Sequence, residues 1–75
     1  MVFMYIFRDG PFIKANCYKG SKHGEHFQLI MEPETKKVIK KPAGPDIDAS
    51  AAYSRLCSVI SSGTELPTET VAAWG

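Results

Sequence analysis

Residues 48–63 read DASAAYSRLCSVISSG, and this stretch carries the clearest helical pattern in the sequence. At 100° per residue its apolar side chains fall within an arc of roughly 160°, the stripe of a helix that packs on a core. Asp48 suits the N-cap, because its carboxylate can accept hydrogen bonds from free backbone amides, and Gly63 suits the left-handed position after the last turn. The pattern predicts a helix over residues 48–62. Its apolar stripe consists of Ala49, Ala52, Tyr53, Leu56, Cys57, Val59 and Ile60.

The helix needs a second apolar surface to pack on, and a sheet is predicted for it in the preceding part of the chain. There, apolar residues recur at every second position. Residues 2–8 are rich in aromatic and β-branched side chains, which is typical of a strand covered on both faces. Residues 12–19 and 26–32 alternate and predict two further strands, and residues 37–41 predict a short one whose lysines would protect an exposed sheet edge. We expect the helix to contact Ile13, Ala15, Cys17, Phe27, Leu29 and Met31.

The predicted fold is a single small α+β domain over residues 1–75. It has a three- or four-stranded antiparallel sheet over residues 2–41, with one long amphipathic helix packed on one face. In the last segment, residues 64–75, Thr68 is followed by an acidic residue, which predicts a second helix of barely two turns docked through Val71 and Trp74. The alternative is that this segment leads into more chain.

Composition and charge narrow the class of protein but identify no partner. The apolar content is 44% and the charged content 23%, which are ordinary globular values. Residues 1–45 hold eight basic and four acidic side chains, whereas residues 46–75 hold one and four. The opening stretch MVFMYIF is too short to span a membrane and lacks the pattern of a signal peptide. We therefore expect a cytoplasmic protein with two free thiols, a Cys17–Cys57 disulfide being the alternative.

Catalysis is not predicted. The one set of residues with metal-ligand chemistry is Cys17, His23, His26 and Cys57, but its cysteines stand forty residues apart. In the predicted strands Cys17 faces the core and His26 faces away from it, so they do not form a nucleophile and its base. Asp46 and Asp48 lie where a helix needs capping. We expect no enzyme activity, no cofactor and no small-molecule substrate.

A binding function is predicted from the sheet face that the helix leaves uncovered. Its partner-binding candidates are Phe12, Lys14, Tyr18, Ile30, Lys37, Ile39 and Lys41. The face would also show Asn16, His26 and Gln28, with Lys19, Lys22, Lys36 and Lys40 around its rim. Exposed apolar residues favour a protein partner or a second copy, bound through this face or through the first strand.

Nucleic acid is the alternative partner. Aromatic rings can stack on bases, amides can read base edges and lysines can contact phosphates, so the same face has the ingredients for binding DNA or RNA. A small sheet with a basic face and one helix also resembles, in layout only, the DNA-binding modules at the N-termini of some integrases. A solvent-exposed face protected by lysines would have the same composition.

Overall fold

The computed structural model describes residues 1–21 and 23–73. The described chain forms one antiparallel sheet and one helix, in the order β1 (Val2–Asp9), β2 (Phe12–Lys19), β3 (His26–Glu32), β4 (Lys37–Lys40), α1 (Ile47–Ser61) and β5 (Thr68–Ala72). The strand order across the sheet is β4-β3-β2-β1-β5. The predicted α+β class is therefore confirmed, but the sheet has five strands and not three or four.

The fifth strand takes the place of the predicted C-terminal helix, which was wrong. Thr68–Ala72 pairs antiparallel with β1, and Val71 lies opposite Phe3. Threonine and valine are β-branched and suit a strand, and pairing with β1 satisfies backbone groups that an isolated two-turn helix would leave largely in water. The docking predicted for Trp74 concerns a residue outside the described chain. Because β5 occupies its outer side, β1 is an interior strand.

Tight connections join β1 to β2 and β3 to β4 and set the register within each of these two pairs. Gly10 and Pro11 link β1 to β2, and Gly10 has a φ of 61°, a conformation that L-residues rarely adopt. The pairing that follows puts Asp9 opposite Phe12. The connection between β3 and β4 is followed by a β-bulge, at which the register shifts between Ile30 and Met31.

The core lies between α1 and one face of the sheet, with the helix packed on β5, β1 and β2. Leu56 is fully buried and contributes about 1.5–3 kcal/mol by leaving water. The predicted helix stripe is confirmed except that Ala51 packs against the core and Ala49 does not. The predicted core faces of β2 and β3 are confirmed, with Phe27 packed half-buried at the margin of the core. The buried core consists of Val2, Met4, Ile6, Ile13, Ala15, Cys17, Leu29, Met31, Ala52, Leu56, Val59 and Ala72.

The helix begins one residue earlier than the pattern predicted, because Asp46 and not Asp48 is its N-cap. The Oδ1 atom of Asp46 accepts from the amides of Asp48 and Ala49, at 2.9 and 3.2 Å. At the other end Gly63 has a φ of 71°, as the sequence predicted. No helix in the described ranges is long and apolar enough to cross a membrane.

Candidate functional site

The sheet face turned away from α1 is the candidate site, and we call it the open face. Along β1, Val2, Met4 and Ile6 point to the helix, so Phe3, Tyr5 and Phe7 point the other way. The pairing registers extend this face across all five strands. It comprises Phe3, Tyr5, Phe7, Asp9, Phe12, Lys14, Asn16, Tyr18, His26, Gln28, Ile30, Glu32, Lys37, Lys40, Glu69 and Val71.

Aromatic rings dominate the β1 and β2 part of the open face. The rings of Tyr5 and Phe7 stack with their centroids 5.6 Å apart, and those of Tyr18 and His26 are 5.1 Å apart. Between these pairs lies a shallow depression with a volume of about 540 Å³. Its side-chain lining is Phe3, Tyr5, Asn16, Tyr18, Glu69 and Val71. The surface there is largely apolar, with polar tips at its margin.

The aromatic residues of β1 were missed as site residues at the sequence level. The composition of residues 2–8 predicted cover on both faces, but in the described chain only one face is covered and Tyr5 is 40% exposed. A signal was nevertheless present. Positions 3, 5 and 7 are all aromatic, whereas positions 2, 4 and 6 are all aliphatic. This division is typical of two faces with different surroundings.

The β-bulge in the β3–β4 pair changes which β4 residues reach the open face. Lys37 lies opposite Glu32, as the alternation predicted. Beyond the bulge Lys40 lies opposite Ile30, so Lys40 takes the place on the open face that was expected for Lys41. Ile39 is the extra residue of the bulge and is 49% exposed. The structure brings together Phe12, Lys14, Tyr18, Ile30 and Lys37 of the seven candidates.

The open face carries equal numbers of positively and negatively charged side chains. The Nζ atom of Lys14 lies 2.6 Å from Oδ2 of Asp9, and Lys37 lies directly opposite Glu32. The remaining charges are Lys40 on β4 and Glu69 on β5, the two outer strands. Three lysines therefore face three carboxylates, and the open face has no net positive charge of the kind that phosphate binding requires.

Two of the lysines expected at the rim of the open face form hydrogen bonds with residues of α1 or its N-cap instead. Lys19 donates to Oδ2 of Asp46 at 3.0 Å, and this hydrogen bond raises the pKa of Lys19 and lowers the pKa of Asp46. Lys36 donates to Oγ of Ser61 at 2.9 Å. Lys41, which was predicted on the open face itself, instead lines a cleft beside the first half of α1. Lys22 lies outside the described residues.

The Cys and His residues considered for metal binding do not converge. Cys17 is buried against the helix, and burial raises the pKa of its thiol to about 12. His26 lies on the opposite face, against Tyr18, and His23 lies in the exposed loop after β2. Within residues 1–21 and 23–73, no three His, Cys, Asp or Glu side chains are arranged to hold a metal ion.

The alternative of a Cys17–Cys57 disulfide is wrong. Both thiols are free, with Cys17 buried and Cys57 half-buried. Cys57 lies instead on α1 beside Tyr53. A hydrogen bond between the two side chains raises the pKa of the Tyr53 hydroxyl.

Comparisons of this chain with protein-family models, with curated proteins and with solved structures found no match. The role of the open face is therefore argued from its own geometry and chemistry.

Proposed function

We propose that this chain is a non-catalytic protein-binding module and that the open face is its binding site. The observation that carries the proposal is the aromatic surface around Tyr5, which no element of the described chain covers. Aromatic residues are enriched where proteins bind one another, and the tyrosines here also carry a polar hydroxyl at the end of an apolar ring. The partner we expect is a protein surface with exposed apolar side chains.

The size of the open face fits a protein interface. Strands are spaced by about 4.8 Å, so five of them measure roughly 20 Å across, and an eight-residue strand is about 27 Å long. The outer strands are shorter, which leaves an area of roughly 500 Å². Patches of that size on monomers are often functional, and two of them buried together approach a standard interface.

Nucleic acid fits the open face less well. Its three lysines are balanced by three carboxylates, and Lys14 is already paired with Asp9. The amides that could read base edges are engaged with one another, because Nε2 of Gln28 donates to Oδ1 of Asn16 at 3.0 Å. Phosphate contacts supply much of the affinity for DNA and RNA, so a balanced face lacks the main attractive contribution.

Amide correlation spectra with DNA separate the two kinds of partner. The labelled protein is titrated with short mixed-sequence single-stranded and duplex DNA at about 50 mM and about 500 mM salt, where phosphate binding differs strongly. We expect no shifts on the open face at either salt concentration. Shifts confined to the open face that disappear at high salt would overturn the proposal in favour of nucleic acid.

Capture with matched variants tests protein binding directly. The site variant carries Tyr5→Ser with Val71→Ser on the open face. The control carries Ile47→Ser. Ile47 lies on α1 and is 62% exposed, so this substitution also removes an exposed apolar side chain, but away from the site. We expect proteins crosslinked to the wild type to be retained by the control and lost from the site variant. Equal retention by all three proteins would contradict the proposal.

A further inference from the structure

We infer that the outer edge of β4 is a second binding site, which takes an extended acidic peptide segment as a sixth strand of the sheet. This site differs from the aromatic surface around Tyr5, so the inference goes beyond the function proposed above. Three observations carry it: an open strand edge, a cluster of lysines without carboxylate partners and a cleft beside the strand.

The first observation is the open edge itself. Among the described strands, β4 is an outer one and is hydrogen-bonded to β3 alone. Its other side therefore offers backbone groups with which an extended peptide can pair, as in other complexes formed by strand addition. The amide of Lys37 is already bound by Oγ1 of Thr35 at 3.3 Å, so the available groups begin at Val38. So short an edge provides only a few hydrogen bonds, and we expect weak binding.

The second observation is a concentration of positive charge at this edge. Residues 32–41 hold four lysines and two glutamates. The four lysines are exposed, and none of them takes part in an ion pair within residues 1–21 and 23–73. By contrast, the two lysines of β2, Lys14 and Lys19, each pair with a carboxylate. The lysine cluster at the β4 edge consists of Lys36, Lys37, Lys40 and Lys41.

The lysine cluster discriminates between partners. Two β4 strands from two copies of this chain would bring their lysine clusters together, so the edge rejects a second copy. An acidic segment is instead attracted by the same charges. Lys37 and Lys40 lie opposite Glu32 and Ile30, which are two residues apart on β3. Carboxylates at alternate positions of an added strand match that spacing.

The third observation is the cleft on the covered side of β4. Side chains between the carboxylates of an added strand would point to that side, as Val38 does opposite the buried Met31. Val38 lines the cleft together with Leu29 and Tyr53, and its volume is about 490 Å³. Small apolar side chains fit such a lining, and Lys41 adds a positive charge there. The expected partner segment therefore alternates acidic and small apolar residues.

Two blocked seven-residue peptides test the inference by amide correlation spectra. One alternates glutamate with valine, and the other alternates lysine with valine. We expect the glutamate peptide to shift the signals of residues 37–41 and of Tyr53, with a dissociation constant on the order of 100 µM. Its affinity should fall at least about threefold between about 50 mM and about 500 mM salt, because exposed charges are screened. The lysine peptide should cause no shifts at about 1 mM, since like charges repel.

Matched variants separate the charge from the backbone pairing. Lys40→Glu should weaken the glutamate peptide about fivefold, because attraction becomes repulsion. The control Arg8→Glu changes the net charge equally at an exposed position of β1 and should leave the affinity within about twofold. Methylation of alternate peptide amides tests the strand pairing without altering the protein. One of the two alternate sets should abolish binding and the other should not, because only one set faces β4.

The outcomes separate this inference from the proposed function. It would be overturned by no shifts at about 1 mM glutamate peptide, by equal binding of the lysine peptide or by binding of both methylated peptides. A short duplex DNA that binds residues 37–41 more tightly than the peptide would overturn it in favour of nucleic acid. The variant with Tyr5→Ser and Val71→Ser should bind the glutamate peptide as the wild type does. Loss of peptide binding in that variant would place the peptide on the open face and contradict a separate site.

Discussion

The two faces of this sheet are built from different kinds of side chain, although they share the same strands. On the face that packs on α1, β1 to β3 contribute aliphatic and small side chains that are at most 2% exposed, namely Val2, Met4, Ile6, Ile13, Ala15, Cys17, Leu29 and Met31. The open face carries aromatic rings, lysines and amides. Aliphatic side chains interdigitate in a dry core, whereas rings with polar tips and long charged chains can face water or a partner. The side chains of the covered face therefore require a dry core, whereas those of the open face tolerate contact with water.

The largest expected effect comes from neighbouring residues of β1 that point to opposite faces. Ile6→Ser places a hydroxyl in the core at a position that is 0% exposed and should cost about 3–5 kcal/mol. Tyr5→Ser, at a 40% exposed position, should cost about 1 kcal/mol. Urea unfolding measures both free energies. Equal losses of stability would show that the open face is as tightly packed as the core, and would contradict the difference between the two faces.

The thiols provide a second comparison between the covered face and the margin of the core. Cys17 is buried and its pKa is raised to about 12, so at pH 8 only about one molecule in ten thousand carries the reactive thiolate. Cys57 is half-buried on α1. We expect Cys57 to react with a chromogenic disulfide reagent at least about a hundredfold faster than Cys17.

Single-thiol variants make that measurement unambiguous. Cys57→Ser leaves the buried thiol alone, and Cys17→Ala leaves the half-buried one. In urea both thiols should react at the same rate, which is the control for reagent access. Equal rates in the folded protein would mean that the helix does not seal its face of the sheet.

A smaller effect on stability is expected at Asp46, which connects the helix to the sheet. Asp46 caps α1 and also accepts from Lys19 of β2. Asp46→Ala removes both interactions and should lower Tm by about 5 °C, whereas Asp46→Asn keeps a capping oxygen and should lower it by less. Thermal unfolding followed by circular dichroism measures the difference. An equal loss for both variants would show that the cap itself contributes nothing.

The difference in Tm between the wild type and Asp46→Asn should depend on pH. Because the folded state lowers the pKa of Asp46, its charge stabilises the fold at pH values above the ordinary carboxyl pKa of about 4. That contribution is lost as the pH falls through the lowered pKa of the folded state. The Tm difference between the wild type and Asp46→Asn should therefore be full at pH 7 and disappear in acid. A difference that grew in acid would contradict the assigned ion pair.

The smallest effect is expected for the amide pair on the open face. Gln28→Ala removes the 3.0 Å hydrogen bond to Asn16 and should cost about 0.5 kcal/mol, because water can replace the lost partner. The double variant with Asn16→Ala measures the coupling between the two amides. A coupling above about 1.5 kcal/mol would mean that the open face is organised like a buried network.

Much of the covered face was predictable because its signals are local. The stripe of α1 and the alternation in β2 and β3 depend on residues a few positions apart, and the core contains the residues that these patterns indicate. The open face was predictable only in part. Five of its candidates lie together, but the bulge displaces Ile39 and Lys41, since one extra residue reverses the faces of all later positions.

The amino-acid sequence by itself determined the α+β class, the long helix and the division of β2 and β3 into a covered and an uncovered face. Tertiary structure alone decided that residues 68–72 form β5 against β1, more than sixty residues earlier in the chain. A five-residue segment has too weak a preference of its own, so its conformation follows from the hydrogen bonds and apolar contacts that the distant strand offers. That pairing places Glu69 on one outer strand of the open face, while the separate pairing of β3 with β4 places Lys40 on the other.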